Sequence, residues 1–351
     1  WYFFRYCDPG NESSAFDPEL AKRWTPIDQY IGGDSHAVMH LIYTRFWTKF
    51  MRDIGLVSFD EPVKKLLTQG MVTNRIEGTD EWKAMSKSLG NGVDPDEMIA
   101  AFGADAARLF TIFAAPVENE LRWSETGIEG AVRFLRRVYT MVWRWHERLS
   151  NTAGQPVGAG LVPAHGSGDD PDESGQGQAP PLQATRALRR KTHQTIAKVT
   201  SDFEALHLNT IVAALMELFN ELGDLNADPG TASEADVFAV REALESLVLM
   251  LAPFSPHVAE EMWESLGHAG GLLSSGRWPQ ADTELARLEE LEIPIQVNGK
   301  LRSRVLASPE VTEEELRSAA LSDEKVRTLI EGHEVLKVIV VPQRLVNVVV
   351  R

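Results

Sequence analysis

Along the chain the spacing of apolar positions changes repeatedly, and each change predicts a different kind of element. Asp28-Gln-Tyr-Ile-Gly32-Gly33 is a short extended run ending in a glycine turn, and apolar residues then recur at helical spacing from about Ser35 to Arg52. Strand, loop and helix are expected, with Asp34 or Ser35 as the cap; in α/β folds the carboxyl end of such a strand faces the ligand crevice. Leu66 to Thr73, with Gly70 inside it, reads as a second strand, and a polar excursion leads on to Ala84-Met85-Ser86-Lys87-Ser88-Leu89-Gly90-Asn91. Asp94 and Pro95 then open a helix expected to end near Phe102, with Asp as cap and Pro at the first helical position.

From Ala104 to Ser150 and from Pro181 to Leu266 the period is helical throughout, as in Ile211, Leu215, Leu218 and Leu222. A helical bundle follows from it. Between the two halves, Asn151 to Ala179 is rich in Gly, Ser, Pro and Asp and carries almost no large apolar side chain, so it is expected to be a disordered insert. The period changes again after an acidic stretch, Asp282 to Glu292, which reads as a linker. Ile293 to Val297, then Asn298-Gly299, then Lys300 to Leu306 predicts a hairpin, because Asn-Gly accepts the positive φ angles of a type I′ turn. Two short helices and the runs Val335 to Val341 and Leu345 to Val350 complete a small α+β module.

The 351 residues are 43% hydrophobic and carry 35 Lys+Arg against 51 Asp+Glu, a formal net charge of −16. That length predicts two or three domains, and the charge weighs against a general nucleic-acid coat while leaving room for local basic faces. A single cysteine, Cys7, excludes a disulfide framework and a cysteine-built zinc site, so a reducing cytoplasmic setting is expected. No apolar run approaches membrane-spanning length, and no membrane association is expected. The first residue is Trp1 and not an initiator Met, which reads as a fragment lacking its N-terminal part.

The chemistry concentrates at Met85-Ser86-Lys87-Ser88. A mobile lysine flanked by hydroxyls on a small-residue loop suits a polyphosphate, with a point charge and hydroxyl donors near developing negative charge. This run resembles the KMSKS signature of class I aminoacyl-tRNA synthetases, with Ala84 in place of the first lysine. Tyr30-Ile-Gly-Gly-Asp-Ser-His36-Ala-Val-Met-His40-Leu, followed by Arg45-Phe46, resembles leucyl-tRNA synthetases. So do Gly103-Ala-Asp105-Ala-Ala-Arg108, the run from Trp123 through Gly127, Glu129, Gly130 and Arg133, Leu251-Ala-Pro-Phe-Ser-Pro-His257, Gln296-Val-Asn-Gly299-Lys and Leu345-Val-Asn347.

The resemblance is colinear over nearly the whole chain apart from 151–179. It implies a multidomain chain: the end of a Rossmann-like α/β catalytic domain over 1–103, an all-α anticodon-binding bundle over 104–280, and a small α+β tRNA-binding domain over 293–351. The HIGH motif and the editing domain of the family would lie upstream. The implied activity is ATP-dependent ligation of leucine to tRNA(Leu) through leucyl-adenylate, with a valyl or isoleucyl enzyme, or a non-catalytic tRNA-binding module, as alternatives. The partners implied are tRNA(Leu), leucine and ATP with Mg2+, with no prosthetic group, and a monomer is expected. Ser35 stands where the family usually has Glu, and the short stretch between Val72 and the signature leaves no room for the leucine-specific insertion of many bacterial relatives.

On this resemblance Lys87, Ser86 and Ser88 are the catalytic candidates, and Met85, Gly32, Gly33, His36, His40, Gly90 and Asn91 the ATP or adenylate contacts. His36 and His40 are four apart and would share a helix face, but no third metal ligand is evident, and no metal site is expected. For tRNA, Arg133, Arg136, Arg137, Arg144 and Arg148 recur along one predicted helix with Trp143 and Trp145 between them. Arg186, Arg189, Arg190, Lys191 and Lys198 form a second cluster. Charge runs are often only solvated faces; the interleaved tryptophans and the resemblance favour phosphate binding along a tRNA stem, although the tryptophans themselves read as core. Trp123 joins the tRNA candidates through the resemblance. Lys300, Arg302 and Arg304 alternate along the predicted hairpin, which fits RNA contact and edge-strand protection equally.

Overall fold

The computed structural model describes residues 2–150, 180–287, 291–307, 311–333, 335–341 and 344–351; the predicted disordered insert, 151–179, lies outside them. The chain forms two compact units, Trp1–Leu188 with Thr195–Gln280, and Arg189–Gln194 with Ala281–Arg351. Among the described residues no helix is long and apolar enough to cross a membrane.

The first unit begins with two short helices, α1 (Phe3–Tyr6) and α2 (Pro18–Lys22), the latter capped by Asp17, whose carboxylate accepts from the Glu19 N–H. Phe4, Phe16, Ala21 and Met51 make a small core there. Strand β1 (Tyr30–Gly33) leads through a single 3-10 turn, Asp34–His36, into α3 (His40–Asp53), and β2 (Leu66–Gln69) pairs parallel to β1 with Gly33 opposite Gln69. The helix therefore starts later than its apolar spacing predicts. Met39, at φ −121° and ψ −88°, breaks the helical path, and no side chain caps α3. Its buried positions are Thr44, Thr48 and Met51, whereas Ile42, Tyr43, Phe46, Trp47 and Phe50 are exposed.

The predicted strand from Leu66 to Thr73 is two strands. It divides after β2 at Gly70, where a Cβ would lie 2.0 Å from the Asn119 carbonyl oxygen, so only glycine admits that crossing. Beyond it, β3 (Val72–Arg75) pairs antiparallel with β4 (Trp82–Ala84). Helices α4 (Pro95–Phe102), begun by Asp94 and Pro95 as predicted, and α5 (Ala104–Phe113) follow. Then comes a strand within the stretch predicted to be wholly helical: β5 (Leu121–Arg122) pairs parallel with β3, giving the order β4-β3-β5.

The bundle comprises α6 (Glu125–Ser150), α7 (Pro180–Glu204), α8 (Leu208–Asp224), α9 (Glu234–Leu251), α10 (Pro256–Ser265) and the short α11 (Leu272–Ser275). Helix α6 buries Ile128, Ala131, Leu135, Val138, Val142, Trp145 and Leu149, and α8 buries the predicted Ile211, Leu215, Leu218 and Leu222. Each of the Ile, Leu and Val side chains among them contributes about 1.5–3 kcal/mol on leaving water. Helix α5 is joined to the far end of the bundle by charge-assisted bonds: Asp105 accepts from the Val258 N–H at 2.7 Å and from His257 Nδ1 at 2.9 Å. In the other direction, Arg108 donates to the Phe254 and Pro253 carbonyls at 3.1 and 3.0 Å. Those are open groups at the start of α10 and the end of α9, and they need partners of this kind.

In the second unit the stretch expected to be an acidic linker is partly ordered. Asp282 caps α12 (Thr283–Ala286), accepting from the Glu284 and Leu285 N–H groups, and Glu292 already lies in β6 (Leu291–Val297). The hairpin to β7 (Lys300–Ala307) turns at Asn298 and Gly299 with φ of 49° and 78°, as the Asn-Gly pair predicts. Helices α13 (Glu313–Ser322) and α14 (Glu324–Ile330) and strands β8 (Val335–Val341) and β9 (Leu345–Val350) complete a sheet of order β7-β6-β9-β8. Its core is Ile293, Ile295, Val297, Leu316, Ala320, Val326, Val346 and Val348.

Candidate functional site

Four of the predicted adenylate contacts share one cleft. Its volume is about 380 Å³, and Gly32, Gly33, His36 and His40 line it together with Tyr30 and Thr68. Parallel pairing puts the cleft at the ends of β1 and β2, where α/β folds place ligands. A Cβ on Gly32 would meet nothing within 4 Å, so the backbone is open to close approach. His36 lies in the 3-10 turn and His40 opens α3, so they do not share a helix face as their spacing predicts. Their rings nevertheless meet edge to face, 6.2 Å between centroids, and the Tyr30 hydroxyl hydrogen-bonds His40 Nε2. Among the described residues no three His, Cys, Asp or Glu side chains are gathered as a metal centre requires. A smaller cavity of about 200 Å³, between Pro18–Thr25 and Gly55–Phe59, holds none of the predicted residues.

The signature loop leaves β4 and makes one 3-10 turn, Lys87–Leu89, before Gly90, at φ 63°, reverses it. Ser86 caps that turn, its Oγ accepting from the Leu89 N–H at 3.3 Å and standing 3.2 Å from Ser88 Oγ. Met85 is half-buried and its N–H donates to the Val72 carbonyl. Lys87 is exposed, and its ammonium has no ion pair among the described residues. Asn91 departs from its predicted role. It is 3% exposed, and its amide is consumed by Ser86, Asn74, Lys83 and Ala84, so the side chain shapes the loop and has no group left for a ligand. Asn74, on β3, was not among the sequence candidates; nothing local marks a strand asparagine whose partner is 17 residues away.

The candidate RNA contacts divide. On α6, Arg133, Arg136 and Arg137 are exposed; Arg133 pairs with Glu129 at 3.5 Å and Arg137 lies 4.9 Å over the Phe219 ring. Arg144 and Arg148 make exposed ion pairs with acids on the α8–α9 connection and at the start of α9, Asp228 at 3.4 Å and Glu234 at 2.7 Å. Of the two tryptophans expected in the core, Trp145 is buried but Trp143 is 55% exposed and stacks on His146. Trp123, a tRNA candidate through the resemblance, is half-buried and packs edge-on against Phe110 at 5.3 Å. The second basic cluster is no continuous face: Arg189, Arg190 and Lys191 are half-buried and partnered, and Lys198 pairs with Asp202 at 2.7 Å. Lys300 and Arg302 are exposed on β7, an edge strand.

One carboxylate is strongly perturbed. Hydrogen bonds from Arg45 and then Lys49 hold Glu61 well below the usual range, at about 2. Arg45 Nε and Nη2 bind its two oxygens at 2.8 and 2.7 Å, which fastens the loop after α3 back onto that helix.

Residues 38–124 match the family model of class I tRNA synthetases (I, L, M and V), and residues 185–316 that of the anticodon-binding domain of tRNA ligase. The leucine–tRNA ligase of Geobacter sp. (strain M21) is 45% identical over 351 residues, which are 100% of this chain and 39% of that protein. That of Solibacter usitatus (strain Ellin6076) is 45% identical over 354 residues, 100% of this chain and 38% of that protein. Agrobacterium radiobacter K84 agnB2 LeuRS, solved as a ternary complex with tRNA and LeuAMS, superposes with a TM-score of 0.75 at 33% identity, over 100% of this chain and 41% of that one. A methionyl-tRNA synthetase of Mycobacterium tuberculosis shares the fold alone, with a TM-score of 0.51 at 19% identity over 86% of this chain and 52% of its own. The chain spans about two fifths of the length of the leucine–tRNA ligases it matches. Along its whole length the chain is similar to leucine–tRNA ligases, and segments of it match the class I tRNA synthetase and anticodon-binding domain models.

Proposed function

We propose that this chain supplies the phosphate-handling loop and the tRNA-binding bundle of an ATP-dependent leucine–tRNA ligase. In the full-length protein the leucine carboxylate attacks the α-phosphorus of ATP, the bond to the β-phosphate bridging oxygen breaks, and pyrophosphate leaves. A hydroxyl of the 3′-terminal ribose of tRNA(Leu) then takes the leucyl group from the adenylate, releasing AMP. Mg2+ enters with ATP as part of the substrate complex, and no prosthetic group takes part. The enzyme would work as a cytoplasmic monomer.

The observation that carries this reading is an exposed Lys87, with no ion pair among the described residues, on a loop whose two ends are held by hydrogen bonds. A cation carried on a loop with anchored ends lowers the reorganisation needed as charge develops on the leaving pyrophosphate. Ser88 is assigned a hydrogen bond to the same phosphates, Ser86 keeps the turn closed, and Met85 and Gly90 frame the crest. Gly32, Gly33, His36 and His40 are assigned to the adenylate because they share the cleft at the strand ends. Arg133, Arg136 and Arg137 are assigned to tRNA phosphates, with Lys300 and Arg302 as a second contact. The domain ranges 1–103, 104–280 and 293–351 belong to the same proposal. Replacing Lys87 with Ala in the full-length protein should slow leucine-dependent pyrophosphate exchange about 10²–10³-fold, with leucine binding little changed; equal exchange rates would refute the assignment.

A further inference from the structure

We propose that Asn91 is a positioning residue for adenylate formation, acting through Lys87, with Asn74 as its counterpart on β3. This rests on the role assigned to Lys87 above. The Asn91 side chain is 3% exposed and fully used. Its Oδ1 accepts from the Ser86 N–H at 2.9 Å, and its two amide N–H bonds are distributed over the carbonyls of Lys83, Asn74 and Ala84 at 3.1, 3.2 and 3.4 Å. Asn74 returns a bond from its own Nδ2 to the Asn91 carbonyl at 3.2 Å. One buried amide thus joins the residues entering the loop, the residue leaving it and the neighbouring strand.

Between those ends the loop has little else to hold it. The turn closes through backbone bonds of 3.3 Å, from Leu89 N–H to the Ser86 carbonyl and from Gly90 N–H to the Lys87 carbonyl, and Ser86 to Gly90 carries no buried side chain. The place of the Lys87 ammonium is therefore inherited from the Asn91 bonds. Only asparagine offers a short, neutral group with one acceptor for the Ser86 amide and two donors for the strand carbonyls. Aspartate would keep the acceptor but turn a second oxygen toward three carbonyls. A shift of about 1 Å in a charge-stabilising group costs on the order of 10²-fold in rate.

In a full-length protein containing this chain, Asn91→Ala should lower kcat for pyrophosphate exchange by about 10- to 100-fold with the KM for leucine unchanged. Added to Lys87→Ala it should cost less than about threefold more, because groups acting as a unit are not additive. An equal loss in both backgrounds would show that Asn91 does not act through Lys87. In this chain alone, Asn91→Ala should accelerate hydrogen exchange at the Ser86 amide by about tenfold or more with helical circular dichroism retained; unchanged Ser86 exchange would overturn the pin itself. Asn74→Ala, which removes the donor to the Asn91 carbonyl and the acceptor of the Arg75 N–H but leaves the Asn91 side chain in place, should give a smaller change of the same sign and serves if Asn91→Ala fails to fold. If Lys87→Ala leaves exchange of pyrophosphate untouched, the ligase role of Lys87 falls, and Ser86 hydrogen exchange still decides whether Asn91 holds the loop.

Discussion

Replacing Asp105 with Ala tests the joint between α5 and α10. The carboxylate is almost wholly buried and accepts three donors: the Val258 N–H at 2.7 Å, His257 Nδ1 at 2.9 Å and the His257 N–H at 3.5 Å. The Val258 bond dominates. It is short, partly buried and charge-assisted, and such bonds contribute about 1.5–3 kcal/mol. The anion also sits at the first turn of α10, where the helix dipole adds about 0.3–1 kcal/mol. The His257 side chain is 77% exposed, so its bond contributes about 1 kcal/mol at most. Ser255 does not cap the helix through its own side chain, so nothing local replaces the lost acceptor. Asp105→Ala should therefore destabilise the first unit by about 2–4 kcal/mol, or lower its melting temperature by roughly 4–16 °C for a unit of this size. His257→Ala should cost under about 1 kcal/mol. Urea unfolding of the chain followed by helical circular dichroism measures both. If Asp105→Ala unfolds within about 0.5 kcal/mol of the parent, or if the His257 variant is the weaker protein, the joint does not depend on the Val258 cap.

Three further outcomes follow from single contacts. Gly70→Ala places a Cβ 2.0 Å from the Asn119 carbonyl oxygen and should cost about 1–3 kcal/mol by chemical denaturation; an unperturbed variant would mean that β2 and β3 separate without strain. Arg136→Ala and Arg137→Ala should each lower the slope of log tRNA affinity against log salt by about 0.7–0.9. Only the Arg137 variant should also lose about 0.5–1 kcal/mol of stability, because that guanidinium lies over the Phe219 ring. Glu61, held by Arg45 at a pKa of about 2, has a folded value below its unfolded one of about 4.3, so its contribution is full above that value and lost as pH falls through about 2. Glu61→Gln should flatten the melting temperature against pH between those limits, and parallel curves would refute it.

What could be read from the sequence was whatever a residue dictates to its immediate neighbours. The α8 stripe at Ile211, Leu215, Leu218 and Leu222 lies on one helical face and is buried, and Asn298-Gly299 turns as its positive φ angles require. Strand β5 was not legible, because two residues cannot show a period. It exists because the Leu121 and Trp123 N–H groups find the Met71 and Thr73 carbonyls, at 3.0 and 2.9 Å, far back in the chain. In α3 the period was legible but its sense was not. Thr44, Thr48 and Met51 are buried while Tyr43, Phe46 and Trp47 are exposed, since the buried face is decided by what packs on it and not by hydrophobicity alone.

The candidate site divides along the same line. Lys87 could be chosen from residue type and its small polar neighbours, because a phosphate-binding cation needs only to be exposed and unpaired. The burial of Asn91 is not legible in the same way: exposure and burial look identical in a string of letters, and its bonds reach Asn74 on another strand. Asp105 and His257 lay within two separate motifs of the resemblance, yet nothing in either motif says that they meet. The geometry that fixes a charge in space is supplied by such distant pairs, so substitutions at Asn74, Asn91 and Asp105 should disturb the site or its scaffold without any of the three touching a substrate.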